Sequence, residues 1–158
     1  MRFCSFFIIR LTDFRIYGDS SGIARITILD GEKFEAGEIP SELKLAVHQL
    51  DSYFKGELQE FQLKINPEGT AFQKRVWQAL MEIPFGSTVS YLQLARQLGD
   101  LKAIRAVAAA NGRNPLWIVV PCHRVIGTNG SLTGYAGGLW RKQWLLNHEN
   151  PPLQQELF

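Results

Sequence analysis

Cysteine is scarce in this sequence. Its 158 residues hold two, Cys4 and Cys122, too few for a disulfide framework in a chain this long and too few for a Cys-rich zinc module. A reducing, cytoplasmic setting is therefore expected. Long hydrophobic runs are missing as well, and none approaches the roughly 20 residues of a membrane helix. The apolar start, Met1 to Ile9, is broken by Arg10 and Asp13 with no small-residue cleavage site behind it, so it reads as a strand rather than a signal peptide. Acidic residues are rare in one place. Between residues 69 and 144 only Glu82 and Asp100 stand against nine Lys and Arg, which makes that stretch +7 in a chain whose net charge is +2. Residues 1–66, by contrast, hold 8 basic and 10 acidic side chains. That asymmetry fits either a polyanionic partner or a basic face with no partner.

What is present suits a globular protein. At 46% hydrophobic and 20% charged, the composition excludes disorder and supplies a core for one compact domain or two small ones. The first half predicts strands at Phe3–Ile9, Asp13–Tyr17, Ile23–Leu29 and Glu32–Ala36, with a hairpin loop over Tyr17–Gly22 and a tight turn at Asp30-Gly31. After Pro40, Ser41 is expected to cap a helix with Leu43, Val47, Leu50 and Phe54 on one face, stopped at Gly56. No chemistry is visible in that half.

Asn66-Pro-Glu-Gly69 marks the candidate boundary, dividing a scaffold over 1–66 from a second unit over 67–158. Beyond it, Thr70 with Gln73 and Ser90 with Gln93 form two capping boxes, each opening a helix. A third helix is expected from Leu101 to Asn111, with Ile104, Val107 and Ala108 inward. Two short helices across the Gly99-Asp100 turn have a helix-turn-helix arrangement. The second is rich in alanine, with Arg105 as its long polar side chain after Lys102. It is thin enough to approach a nucleic acid, although the alanines equally suit close helix packing. The fold class expected is mixed α+β: a small N-terminal antiparallel sheet with a helix, then a mainly helical, winged-helix-like unit containing the helix-turn-helix.

The chemistry concentrates after that helix. Asn114–Val120 reads as a buried strand, and it leads into Pro121-Cys-His-Arg-Val125. A cysteine beside His and Arg is placed where a thiolate is stabilised and made nucleophilic. Gly134-Tyr-Ala-Gly-Gly138 supplies a loop able to lie over a ligand. A last helix is expected to bury Trp140, Trp144, Leu145 and Leu146, with Glu149 just beyond its end, where a solvated carboxylate would be unremarkable.

Val120-Pro-Cys-His-Arg-Val-Ile126 resembles the active-site signature of the methylated-DNA–protein-cysteine methyltransferases, the O6-alkylguanine-DNA alkyltransferases. Gly69-Thr-Ala-Phe-Gln73, Val76-Trp77, Ile83-Pro-Phe-Gly86, Thr88-Val-Ser-Tyr91, Arg105-Ala-Val107, Ala110-Asn-Gly-Arg-Asn-Pro115, Leu132-Thr-Gly-Tyr-Ala-Gly-Gly138 and Leu145-Leu146 with Glu149 follow in the family's order. The resemblance is close over about residues 69–149 and loose before.

The resemblance implies a single-turnover transfer of the alkyl group from O6-alkylguanine, and from O4-methylthymine, in double-stranded DNA to Cys122, after the base is flipped out of the stack. By position, Cys122 would be the nucleophile, His123 the base acting through a water, and Glu149 the group orienting His123. Tyr91 would donate to N3 of the leaving guanine and help rotate its phosphate. Arg105 would enter the vacated stack, with Ala106 and Asn111 also among the DNA-binding residues. Asn114 would be the hinge, and Tyr135, Ala136, Trp117 and Val125 would belong to the pocket, Trp117 narrowing its entrance. Arg124 is expected as structural support. Cys4 and His48 are too few for the zinc site of some relatives, so neither a metal nor another cofactor is expected. The protein is expected to act as a monomer away from membranes. Two other classes compete: a helix-turn-helix protein that binds lesions without transfer, and a cysteine hydrolase. The first leaves Cys122, His123 and Glu149 without a purpose, and the second is poorly served by an adjacent Cys-His pair.

Overall fold

In the computed structural model, residues 3–9, 12–31 and 37–152 are described. The expected strand over Glu32–Ala36 lies outside them. Three strands, β1 (Phe3–Ile9), β2 (Thr12–Asp19) and β3 (Gly22–Leu29), form an antiparallel sheet in sequence order. In β2 the pleat sends Phe14 and Ile16 inward, both fully buried, and the half-buried Arg15 between them to the opposite face. The hairpin loop is tighter than the sequence suggests. The strands run to Asp19 and from Gly22, and the Asp19 carboxylate accepts from the Ser21 N–H at 2.7 Å.

A 3-10 turn, Ser41–Leu43, precedes α1 (Lys44–Phe54). Ser41 does not cap this helix: its hydroxyl donates to Glu42, and Leu43 occupies the cap position of α1 without a side-chain bond. Leu43, Leu50 and Phe54 are buried as the spacing predicts, joined by Ala46, Gln49 and Tyr53. The chain after α1 returns to the sheet, with Ile23 N–H donating to Lys64 O at 2.9 Å and Asn66 N–H to Ile23 O at 2.8 Å.

The C-terminal half contains α2 (Ala71–Met81), β4 (Val89–Ser90), α3 (Tyr91–Gln97), α4 (Ile104–Gly112), β5 (Val125–Ile126) and α5 (Leu139–Glu149). Both capping boxes form, at Thr70/Gln73 and Ser90/Gln93. The third expected helix starts as a 3-10 turn over Leu101–Ala103 before α4 proper. Its inward residues are Val107, Ala110 and Asn111; Ile104 and Ala108 are half-buried and line a cleft instead. Trp77 fixes α4 by donating its indole N–H to Ala110 O at 2.9 Å.

Trp140 departs from its expected burial. It is 56% exposed, and the Arg141 guanidinium lies over its ring at 4.4 Å. Leu145 is fully buried, Trp144 and Leu146 half-buried. Buried residues of both halves, from Phe14 to Leu145, form one hydrophobic cluster that includes Cys122. No helix among the described residues is long and apolar enough to cross a membrane.

Candidate active site

The segment expected to be a strand, Asn114–Val120, is buried but irregular. Only Leu116 makes a β-bridge, to Ile26 of β3. The reason is Asn114. Its carboxamide oxygen accepts from Leu116 N–H at 2.9 Å and its nitrogen donates to Val120 O at 2.7 Å, closing the backbone on itself. Within that loop Ile118 takes φ +69°, and Val119 N–H donates to Trp117 O at 2.9 Å, a γ-turn rarely adopted by a β-branched residue. Pro121 forms a second, inverse γ-turn, with Cys122 N–H donating to Val120 O at 2.8 Å. Buried apolar runs need not be strands when a side chain satisfies the backbone. Two tight turns and a 3-10 turn over Cys122–Arg124 thus deliver Cys122 to the floor of an open cleft of about 600 Å³.

The cleft is bounded on one side by Tyr91, Ile104, Arg105, Ala108 and Asn111 from α3 and α4. On the other stand Trp117, Thr133, Gly134, Tyr135 and Ala136. The thin profile of α4 has a structural meaning here, since Ala108 leaves room at the wall. Arg105 is exposed at this cleft, whereas Ala106 is exposed but does not line it. Asn111, expected with the DNA-binding residues, is 3% exposed. Its nitrogen donates to Tyr91 Oη at 3.3 Å and to Cys122 O at 3.4 Å, so it belongs to the pocket floor. Val125, expected at the pocket, is wholly in the core and lines none of it. Trp117 is a buried wall rather than a rim, its ring packed 4.9 Å from Phe14 and 6.4 Å from Tyr135.

Behind Cys122 lies a closed ionic network. Glu149 is the last residue of α5, not a solvated residue beyond it, and it is 6% exposed. Its Oε1 meets His123 Nε2 at 2.7 Å and accepts from Arg124 at 2.9 Å and Tyr53 Oη at 2.8 Å. Its Oε2 accepts from Arg124 Nε at 2.9 Å and from Gly86 N–H at 3.4 Å. Arg124 also donates to Ile83 O at 2.7 Å. The Ile83–Gly86 turn therefore docks on the network, and Gly86 sits at φ +79°, where a side chain is strained and its Cβ would lie a tight 3.2 Å from Glu149 O.

Burial alone would raise the Glu149 carboxyl, but the bonds from His123 and Arg124 overcome it and hold it far below the ordinary carboxylate range. An ionised carboxylate only accepts, so His123 must carry its proton on Nε2. Burial, opposed by Glu149, lowers the His123 pKa and keeps the ring neutral near neutral pH. That leaves Nδ1 unprotonated, and this buried nitrogen has no hydrogen-bond partner.

Burial pushes the Cys122 thiol up, while Asn114, Lys142 and Tyr135 pull it down. Lys142 is fully buried on α5 and donates to Thr133 O at 3.0 Å. Sequence reasoning missed Lys142 and Tyr53. Lys142 has no signal beyond its place in a helix, and Tyr53 lies 96 residues from the carboxylate it serves.

A family model described as the DNA-binding domain of 6-O-methylguanine DNA methyltransferase matches residues 71–151. The methylated-DNA–protein-cysteine methyltransferase of Methanosarcina acetivorans is 49% identical over 139 residues, covering 84% of this chain and 88% of that one. A crystal structure of the Mycobacterium tuberculosis O6-methylguanine methyltransferase superposes with a TM-score of 0.85 at 41% identity, over 99% of this chain and 98% of that one. A structure of the M. tuberculosis OGT in complex with DNA gives 0.83 at 43% identity, over 91% and 90%. With the cysteine, the cleft and the buried carboxylate in place, the chain belongs to the methylated-DNA–protein-cysteine methyltransferase family.

Proposed function

We propose that this chain repairs DNA by direct reversal, moving the alkyl group of O6-alkylguanine, and of O4-methylthymine, to Cys122 in one irreversible turnover. The observation that carries this reading is the placement of Cys122: it lines a base-sized cleft, and the next residue in the chain, His123, is bonded to the buried Glu149 carboxylate.

A base inside the duplex offers no in-line path to a protein thiolate, so the damaged nucleotide must be flipped into the cleft, at a cost of a few kcal/mol. Arg105 fills the vacated stack, and Tyr91 rotates the phosphate and donates to N3 of the base. Tyr135 and the Ala136 backbone hold the O6 edge, while Trp117 narrows the pocket against bulky adducts. The Cys122 proton passes to His123 Nδ1 through a bridging water, for which Asn111 Oδ1, buried and without a hydrogen-bond partner, is a further acceptor. The sulfur then bonds to the alkyl carbon as the C–O6 bond breaks. Its electron pair leaves on the guanine, steadied by the Tyr91 hydroxyl. No cofactor enters this chemistry.

The charge of the basic half supports a DNA partner once it is sorted by position. Arg124, Arg141 and Lys142 are buried and bonded internally. Lys74, Arg75, Arg96, Lys102, Arg105 and Arg113 are exposed, all on or just after α2, α3 and α4. We assign residues 67–158 to DNA binding and transfer and residues 1–66 to scaffold. Duplex DNA is the substrate, the monomer is the working unit, and a reducing cytoplasm keeps the thiol available. The test is Cys122→Ser with binding and transfer measured in parallel. Transfer should vanish while affinity for O6-methylguanine duplex survives; a variant that still clears the lesion would overturn the assignment.

A further inference from the structure

Tyr53 belongs to α1, in the half where the sequence shows no chemistry. Its side chain is fully buried, and its ring is wedged among Phe54, Phe61, Phe85 and His148 at centroid distances of 5.1 to 6.2 Å. A buried phenol needs a polar partner, and this one donates to Glu149 Oε1 at 2.8 Å. The same oxygen receives His123 Nε2 at 2.7 Å. The main chain of Tyr53 is tied to the same helix end, since His148 Nε2 donates to Tyr53 O at 2.7 Å. Both ends of the residue are thus locked to the last turn of α5.

We propose that Tyr53 is a positioning residue for alkyl transfer, its hydroxyl fixing and partly occupying the Glu149 oxygen that orients His123. This rests on the transfer reading above. A carboxylate oxygen shared among three donors, here Tyr53, His123 and Arg124, is a weaker acceptor toward each. Removing the phenol hydroxyl leaves Oε1 freer to move and more strongly drawn to the imidazole. His123 also faces Lys142 from α5 and Arg124 from its own turn, and neither of those changes in the substitution. Through the Tyr53 hydroxyl the first half of the chain is bonded directly to the carboxylate that holds His123.

The experiment uses Tyr53→Phe, which keeps the ring and its packing. Single-turnover transfer from O6-methylguanine duplex is followed from pH 5 to 9, and His123 is titrated by 15N NMR in the unreacted protein. The variant should transfer roughly three- to tenfold more slowly at neutral pH, because a small misplacement of a reacting group is costly. The acid limb of its rate profile and its His123 midpoint should both move to higher pH. Phe61→Leu, which loosens the same ring without touching the hydroxyl, should lower the melting temperature and leave both midpoints in place. An unmoved or lowered His123 midpoint in Tyr53→Phe overturns the proposal, as does an equal shift in Phe61→Leu. Failure of the wild type to transfer would instead strike the transfer reading, and the NMR titration would still decide the coupling.

Discussion

The two sides of Cys122 are built on opposite principles. Toward the cleft stand apolar walls, a thin helix and the exposed Arg105, all open to solvent. Behind it stand His123, Arg124, Glu149 and Tyr53, packed with little or no exposure and bonded to one another. On the function proposed above, a lesion enters the first side, which has the room for it. On the same proposal proton movement belongs to the second, where low dielectric strengthens each hydrogen bond and makes each missing one expensive. The division teaches that recognition and chemistry should fail separately.

The largest break in that comparison is Glu149→Gln. An amide in place of the carboxylate leaves Arg124 without its counter-charge and gives the His123 Nε2–H a weaker acceptor than the carboxylate. Transfer should fall by at least about 100-fold, and stability should drop by about 3–5 kcal/mol. Denaturant titration and single-turnover kinetics check the two effects. Lesion binding, measured below the melting transition, should persist, because none of the lost bonds faces the cleft.

Arg105→Ala is the mirror image. Its side chain is exposed, so stability should hold within about 0.5 kcal/mol. Affinity for O6-methylguanine duplex should weaken roughly tenfold, and the rate with saturating DNA should suffer less than the affinity. A variant with normal binding and poor chemistry would reverse the roles given to the two sides.

A smaller effect follows from pH. The Glu149 carboxyl is held below its ordinary value and the buried His123 ring below its own. In both cases the unfolded chain binds protons more readily than the folded one. Stability from these groups is complete above about pH 6.5, the unfolded value of His, and is lost as pH falls. Melting temperatures measured from pH 7.5 to 4 should decline, first through His123 and then through Glu149. His123→Gln should flatten the upper part of that curve.

How legible each side was in the sequence follows from the same contrast. The capping boxes at Thr70 and Ser90, the strand at Asp13–Tyr17 and the Pro121-Cys-His-Arg-Val125 segment are local features, and the structure contains the two boxes and the strand as read. Asn114–Val120 misled because a run of apolar residues reports burial, not pairing, and the carboxamide that replaces the ladder belongs to a single neighbouring residue. Trp140 misled because helical spacing does not say where the buried arc ends. Tyr53 and Lys142 were illegible for a deeper reason. Each is brought to the site only by folding, Tyr53 from 96 residues away, and neither carries a spacing or a neighbour that marks it. Glu149 stood between these cases: its chemical type suited the site, but only folding distinguishes a helix end in water from one buried against Arg124.

The most direct test of the central claim is intact and peptide mass spectrometry after incubation with duplex carrying O6-methylguanine. One methyl group, about 14 Da, should appear on the peptide bearing Cys122, never more than one per protein, with an equal amount of unmodified guanine restored in the DNA. Tight binding with the methyl group still on the DNA after long incubation, or methyl on another residue while Cys122 stays free, would contradict it.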